Sequence, residues 1–219
     1  MAHIHLEDGS FSLLWVIFWW LCAALVIGFS LWRIRRQGEQ KGRAIILAAF
    51  CTAAAFAIFQ IEIPVFGGVH MNLTPLIGIL TGPFIGSLVV LIVNILSAAI
   101  GHGGFGLIGA NTLINVVEVA AGYLLYRMMK DLVRGTFARA GIATFIALFA
   151  GNVAMIAIIL VSGIQGVTQS PGQVLYGLSL IALINMGVAV IEAIITGFAI
   201  DFLQKVRPDL LKETSPARQ

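Results

Sequence analysis

The chain has 219 residues, of which 59% are hydrophobic and only 11% are charged. Soluble domains carry roughly 25% charged residues, so the 13 Lys and Arg and 10 Asp and Glu residues present here are too few to cover a soluble globule. Composition therefore excludes a soluble globular protein and predicts an all-α, multi-pass membrane protein. The net charge of +3 does not indicate nucleic-acid binding, because the charges fall between apolar runs, a pattern typical of membrane topology.

Apolar runs predict seven membrane-spanning helices within one domain, residues 1–219. A span needs about 20 apolar residues, and fewer where it is buried among other helices. The third and fourth spans are divided only by Thr81-Gly82-Pro83. The predicted spans are residues 11–32, 44–65, 73–82, 83–100, 107–128, 138–162 and 174–203.

The positive residues predict the orientation of these spans. All 13 fall within residues 33–43, 127–139 and 205–218, and the positive-inside rule places these three segments in the cytoplasm. Four spans and then two separate them, so the N-terminus is predicted outside and the C-terminus inside. Acidic Glu7 and Asp8 precede the first apolar run, the reverse of a signal peptide, so this run is expected to remain as a span.

The predicted topology places all four histidines on the external side, where no Lys or Arg falls. This makes a face that is receptive to cations. His3 is close enough to the chain's first atom for the amine, backbone amides and imidazole to chelate one ion, a planar nitrogen set that suits Ni(II) and Cu(II). His70 precedes the short third span and could supply a further ligand or be an ordinary polar loop residue. The four are His3, His5, His70 and His102.

No nucleotide-binding motif is indicated. Residues 101–106, GHGGFG, match GxGxxG formally, but they follow a membrane helix and not a strand. The chain also lacks GxxxxGK[ST], so active transport would have to draw energy from a partner or an ion gradient.

Polar residues within the apolar runs have helical spacing. Asn111, Asn115 and Glu118 share one face of the fifth predicted span, and Asn185 and Glu192 are seven apart on the last. Intramembrane carboxylates either pair with polar groups in the bundle or line an ion route. For Glu118 and Glu192 we favour the structural role, because no basic partner is available at that depth.

The second predicted span repeats small residues at four-residue spacing. Such a face allows another helix, from this chain or from another subunit, to approach closely. The stripe is formed by Ala49, Ala53 and Ala57.

Taken together, these features resemble the substrate-capture (S) components of nickel and cobalt energy-coupling-factor (ECF) transporters, the CbiM/NikM family. The resemblance covers most of the first 130 residues, and residues 101–112 are its most specific part. The segments that carry it are the N-terminal His-Ile, His70-Met71-Asn72-Leu73-Thr74, Gly101-His102-Gly103-Gly104 and Gly109-Ala110-Asn111-Thr112.

The resemblance implies a seven-helix S component in the bacterial or archaeal cell membrane. Such a protein is not an enzyme: it binds nickel(II) or cobalt(II) from outside as transported substrate, with nickel favoured here. Its implied partners are a transmembrane coupling (T) subunit, separate ATPase subunits, an additional small membrane subunit and membrane lipid, without nucleic acid.

The resemblance also implies a ligand set. In the family the metal is held by the terminal amine, by the amide and imidazole of the histidine at position two, and by a loop histidine. The corresponding residues are Met1, His3 and His70. Second-choice ligands are His5 and His102, and supporting polar residues are Asn72, Thr74, Asn111 and Thr112.

Ala2 interrupts the family's Met-His register. If Met1 is retained, the terminus is a three-residue chelator that supplies four nitrogens by itself. If Met1 is removed, Ala2-His3 restores the two-residue spacing. Ala2 could also be an engineered insertion, so the sequence leaves open whether this chain binds the metal.

Two other functional classes fit the sequence less well. A metal-dependent intramembrane enzyme would use Glu118 or Glu192 as a general base, but the chain has no HExxH motif and both glutamates lie deeper than the histidines. A gradient-driven permease would move metal alone, whereas an S component needs its ATPase partners for full uptake.

Overall fold

Helices dominate the computed structural model, which describes residues 8–36, 41–60, 62–63 and 69–212. Five described helices are long and apolar enough to cross a membrane: α1, α3, α4 with its preceding 3-10 turn, α5 and α6. The apolar part of helix α2, Ile45–Phe59, is shorter. The chain is thus a multi-pass, all-α membrane protein. The helices are α1 Leu13–Arg36, α2 Lys41–Phe59, α3 Thr74–Ala99, α4 Ile108–Met128, α5 Thr136–Ser162, α6 Pro171–Val206 and α7 Pro208–Lys212, and the 3-10 turn is Phe105–Leu107.

The second predicted span, residues 44–65, was wrong at its end, because α2 ends at Phe59. The chain then forms two short antiparallel strands, β1 Glu62–Ile63 and β2 Val69–His70, with Glu62 opposite His70. Ile63 precedes a proline, and the residue before proline is disfavoured in a helix and favoured in extended backbone. The apolar run therefore extends beyond the end of α2 at Phe59, and its last residues do not belong to the helix.

The predicted third and fourth spans form one element, α3, that reverses direction at Gly82. Gly82 has φ 77° and ψ 170° and is followed by Pro83 inside the element, a backbone geometry that glycine adopts readily. A Cβ built on Gly86 would lie 3.5 Å from Ile77 Cγ2, although residues nine apart in a continuous helix are about 13 Å apart along its axis. Helix α3 therefore has two arms, residues 74–81 and 83–99.

The reversal brings the two ends of α3 together. His70 and His102 flank α3 in sequence, and their Nε2 atoms are 3.1 Å apart. A straight helix of 26 residues would instead be about 39 Å long. The predicted break at Thr81-Gly82-Pro83 thus corresponds to the reversal, while the count of seven spans stays a prediction.

Glycines allow the helices to pack at short range. A Cβ on Gly78 of α3 would lie 2.2 Å from the carbonyl oxygen of Val119 in α4, and one on Gly109 would lie 2.7 Å from the backbone nitrogen of Trp20 in α1. In lipid, helix association depends on such close backbone approach, because the surrounding lipid tails are as apolar as the helices.

Gly78→Ala is expected to destabilise the bundle by about 1–3 kcal/mol, because the new methyl group would collide with the α4 backbone. The measurement is the thermal unfolding temperature of the purified protein in detergent. Gly28→Ala on α1 is the control, since nothing lies within 4 Å of the corresponding Cβ position. Equal unfolding temperatures for the two variants would contradict the close packing of α3 on α4.

Described basic side chains lie at the end of the bundle where α3 reverses. The Arg33 guanidinium lies 5.3 Å from the centroid of the Phe84 ring. Arg127 donates a hydrogen bond to the Tyr123 hydroxyl, and the Tyr123 ring is 3.9 Å from a Cβ built on Gly82. We call this the basic end; the histidine pair lies at the opposite, histidine end.

Candidate metal centre

Two imidazoles meet at the histidine end. His70 lies in β2, and His102 lies in the glycine-rich loop between α3 and the 3-10 turn. Their Nε2 atoms are 3.1 Å apart, and His70 is only 3% exposed. Both were candidate ligands in the sequence, and the reversal of α3 places them in contact.

The Phe59 ring packs against both imidazoles. Its centroid is 5.2 Å from that of His70, with the rings nearly parallel, and 5.6 Å from that of His102, edge to face. Phe59 is buried at the end of α2. It was not a predicted site residue, because an aromatic residue in an apolar run cannot be distinguished in sequence from an ordinary core residue.

The separation of the two ring nitrogens suits either of two arrangements. Without metal, one imidazole can donate a hydrogen bond to the other. With metal–nitrogen bonds of about 2.0–2.1 Å, neighbouring nitrogens are about 2.8–3.0 Å apart in planar coordination and about 3.3–3.4 Å apart in tetrahedral coordination. The observed 3.1 Å is a hydrogen-bond separation, and a movement of a few tenths of an ångström would let the pair share one ion.

Two buried carboxylates contact the connector, residues 71–74, which consists of three irregular residues after His70 and the first residue of α3, Thr74. The Asn72 backbone N–H donates to Glu192 Oε2 at 3.3 Å. The Thr74 hydroxyl donates to Glu118 Oε2 at 2.5 Å. Both glutamates are 0% exposed, so helices α4 and α6 bind the connector from within the bundle.

These two contacts flank a strained residue. Leu73 has φ 55° and ψ 23°, a left-handed conformation that is uncommon for residues other than glycine. Such a conformation costs on the order of 1–3 kcal/mol and persists only where the surroundings impose it. The hydrogen bonds at Asn72 and Thr74 provide that constraint, and they determine where the chain leaves His70.

Buried amides lie below the connector. Asn94 donates to the Thr112 hydroxyl at 3.3 Å, and Asn115 donates to Asn94 Oδ1 at 3.4 Å. The Asn72 side-chain amide has no hydrogen-bond partner among the described residues, and it lines a small internal cavity together with Asn94 and Asn115. The predicted supporting residues, all of them buried, are Asn72, Thr74, Asn111 and Thr112.

The N-terminal part of the predicted ligand set, Met1 and His3, lies outside the described residues, as do Ala2 and His5. The coordination by Met1, His3 and His70 therefore stays a prediction. Within residues 8–36, 41–60, 62–63 and 69–212, no group of three or more His, Cys, Asp or Glu residues is arranged to hold a metal ion.

The predicted small-residue stripe lies on the exposed side of α2. It consists of Ala49, Ala53 and Ala57, all of which are exposed. The opposite, buried side of α2 packs towards α3 and consists of Cys51, Ala55 and Phe59.

Comparison with known families matches residues 5–210 of this chain to a family described as the CbiM cobalt uptake substrate-specific transmembrane region. The chain belongs to the CbiM family. This confirms the resemblance found in the sequence. As a CbiM protein, the chain is a substrate-specific transmembrane component for the uptake of cobalt or nickel.

Individual CbiM relatives match nearly the whole chain. A cobalt transport protein, CbiM, of Carboxydothermus hydrogenoformans is 29% identical over 210 residues, covering 92% of this chain and 84% of that protein. A protein of Archaeoglobus fulgidus that carries the name fused nickel transport protein NikMN is 29% identical over 220 residues, covering 96% of this chain and 68% of that protein.

A solved structure has a similar fold. The crystal structure of a transition metal transporter superposes with a TM-score of 0.79 at 20% identity, covering 99% of this chain and 100% of that one. The likeness extends over the entire bundle.

Proposed function

We propose that this CbiM protein captures nickel(II) or cobalt(II), with nickel preferred, at the histidine end and delivers the ion to an ATP-driven ECF module. The observation that carries the proposal is the His70–His102 pair, with its nitrogens 3.1 Å apart and packed against Phe59. Imidazole nitrogen is a ligand that both ions accept.

The proposed ligands are the Met1 amine, the amide and imidazole of His3, and the imidazole of His70. Such a nitrogen set supports planar coordination, which suits nickel(II). His102 and His5 are the second-choice ligands. If Met1 is removed from this chain, the Ala2 amine takes the place of the Met1 amine.

The proposed topology has seven crossings within one domain, residues 1–219, with the N-terminus outside and the C-terminus in the cytoplasm. It counts the two arms of α3 separately, because the chain reverses at Gly82. The basic end is then cytoplasmic, in agreement with the positive-inside rule. The connector would lie at membrane depth, which is tolerable because it is buried within protein.

The proposed partners are a T subunit, ATPase subunits and an additional small membrane subunit, within the bacterial or archaeal cell membrane. The exposed face of α2, formed by Ala49, Ala53 and Ala57, supports close docking of a T-subunit helix. ATP hydrolysis is assigned to the separate ATPases, and this chain is proposed to have no catalytic residue.

The test is nickel uptake by membrane vesicles that contain this chain alone or together with its T and ATPase partners. We expect sustained uptake only with the partners and ATP, while the chain alone retains about one ion per molecule. An ATPase variant that cannot hydrolyse ATP is the control. Sustained accumulation by the chain alone under an ion gradient would overturn the proposal in favour of a permease.

A further inference from the structure

Asp8 binds the loop that carries His102. Its carboxylate accepts hydrogen bonds from the backbone N–H groups of Phe105, at 3.1 Å, and Gly106, at 2.8 Å. These N–H groups belong to the 3-10 turn that precedes α4. The first N–H groups of a helical segment have no partner within it, and a carboxylate at that position forms strong, charge-assisted hydrogen bonds.

The loop leaves room for this carboxylate. A Cβ on Gly104 would lie 2.3 Å from Asp8 Oδ1, and one on Gly106 would lie 3.2 Å from it. Gly104 has φ −89°, which any residue can adopt. The need for glycine at position 104 therefore comes from the space that Asp8 occupies and not from backbone conformation.

A second contact fixes the chain just after Asp8. The Ser10 carbonyl accepts a hydrogen bond from the Gln165 backbone N–H at 2.8 Å. Phe11 is buried and packs with Leu107 in the core near the histidine end. Residues 8–11 are therefore held by contacts on two sides.

The anchored position is close in sequence to candidate ligands on both sides of the contact. His3 precedes Asp8 by five positions, and five residues extend at most about 18 Å. On the other side of the contact, Gly104 is two positions after His102. Tethering two ligand-bearing segments raises their effective concentration at a shared ion.

We propose that Asp8 is a positioning residue for metal capture, because its carboxylate fixes the chain at position 8 to the His102 loop and so limits the distance that the terminal amine and His3 must span to reach His70. This inference rests on the proposed function. Asp8 itself is not a ligand in this arrangement. Losing the anchor is expected to weaken nickel binding about ten- to a hundred-fold without changing the number of ions bound.

The experiment is a double-mutant cycle measured by nickel titration of the purified chain. Asp8→Ala removes the carboxylate, and Gly104→Ala displaces it from the opposite side of the same contact. Each single variant is expected to weaken binding ten- to a hundred-fold, about as far as the double variant. Asp201→Ala, at the basic end, is the control and is expected to bind like the parent chain.

Thermal unfolding without nickel identifies any variant that fails to fold. Asp8→Asn, which keeps only one of the two acceptor oxygens, then replaces Asp8→Ala in the cycle. Unchanged affinity in Asp8 variants, or losses that add in the double variant, would overturn the inference. Where only the version of the chain without Ala2 binds nickel, the cycle is measured in that version. If neither version binds nickel, the proposed function fails instead. The two failures are therefore distinguishable.

Discussion

Replacing His70 by alanine is expected to lower nickel affinity by at least about a hundred-fold. The nickel that remains after dialysis should then fall from about one ion per chain to background levels. His70 is the only first-choice ligand that comes from outside the N-terminus. The substitution removes its nitrogen from the pair with His102 and opens a space beside Phe59. The measurement is elemental nickel content after loading and dialysis, together with an affinity titration.

His102→Ala is the matched comparison, because it removes the other member of the same contact. If His102 only orients His70 by a hydrogen bond, the loss should be about ten- to a hundred-fold. If both imidazoles bind the ion, the two losses should be equal. Unchanged affinity in His70→Ala would contradict the assigned site.

Both substitutions should be repeated in a version of the chain without Ala2. If only that version holds nickel, the Met-His register forms the site and Ala2 disables it. If both versions hold nickel equally, either Met1 is removed from this chain or its three-residue chelator substitutes. The His70→Ala loss is expected in whichever version binds.

Glu192→Ala is expected to weaken nickel binding about ten- to a hundred-fold, although Glu192 is not a proposed ligand. The substitution leaves the buried Asn72 N–H without its acceptor, at a cost of about 1–3 kcal/mol. Leu73 can then leave its left-handed conformation, and the connector no longer holds His70 in place. The measurement is the same nickel titration.

Glu192→Gln is the decisive control, because glutamine keeps an oxygen that can accept the Asn72 hydrogen bond. We expect its affinity to remain within about three-fold of the parent chain. Glu118 accepts a hydrogen bond from the Thr74 hydroxyl, so Glu118→Ala and Glu118→Gln should differ in nickel affinity in the same way. If the nickel affinity of either glutamine variant falls as far as that of its alanine counterpart, the negative charge itself is required, and the carboxylate belongs to an ion route.

Much of the fold could be predicted from the sequence. The limits of the first, fifth, sixth and seventh apolar runs agree with α1, α4, α5 and α6 to within a few residues, because a lipid environment restricts each run to a helix of sufficient length. The end of the second run at residue 65 was wrong, because hydropathy does not separate a helical residue from an extended apolar one before a proline.

The candidate site could be predicted only as separate residues. His70 and His102 stood out because histidine is rare here and falls at breaks between apolar runs. Glu118 and Glu192 stood out as buried charges, but their partners in the connector, 44 and 120 residues away in sequence, did not. Phe59 carried no signal, because apolar aromatic residues occur throughout the spans.

The sequence by itself determined the class of protein, the family, the placement of most apolar helices and the division of charge between loops. These depend on composition and on local patterns that the membrane imposes. Only the tertiary structure decided that α3 reverses at Gly82, that His70 meets His102, and that Glu118 and Glu192 hold the connector between them. Such contacts join residues far apart in the chain, so they depend on how closely whole helices pack and not on any pattern within one of them.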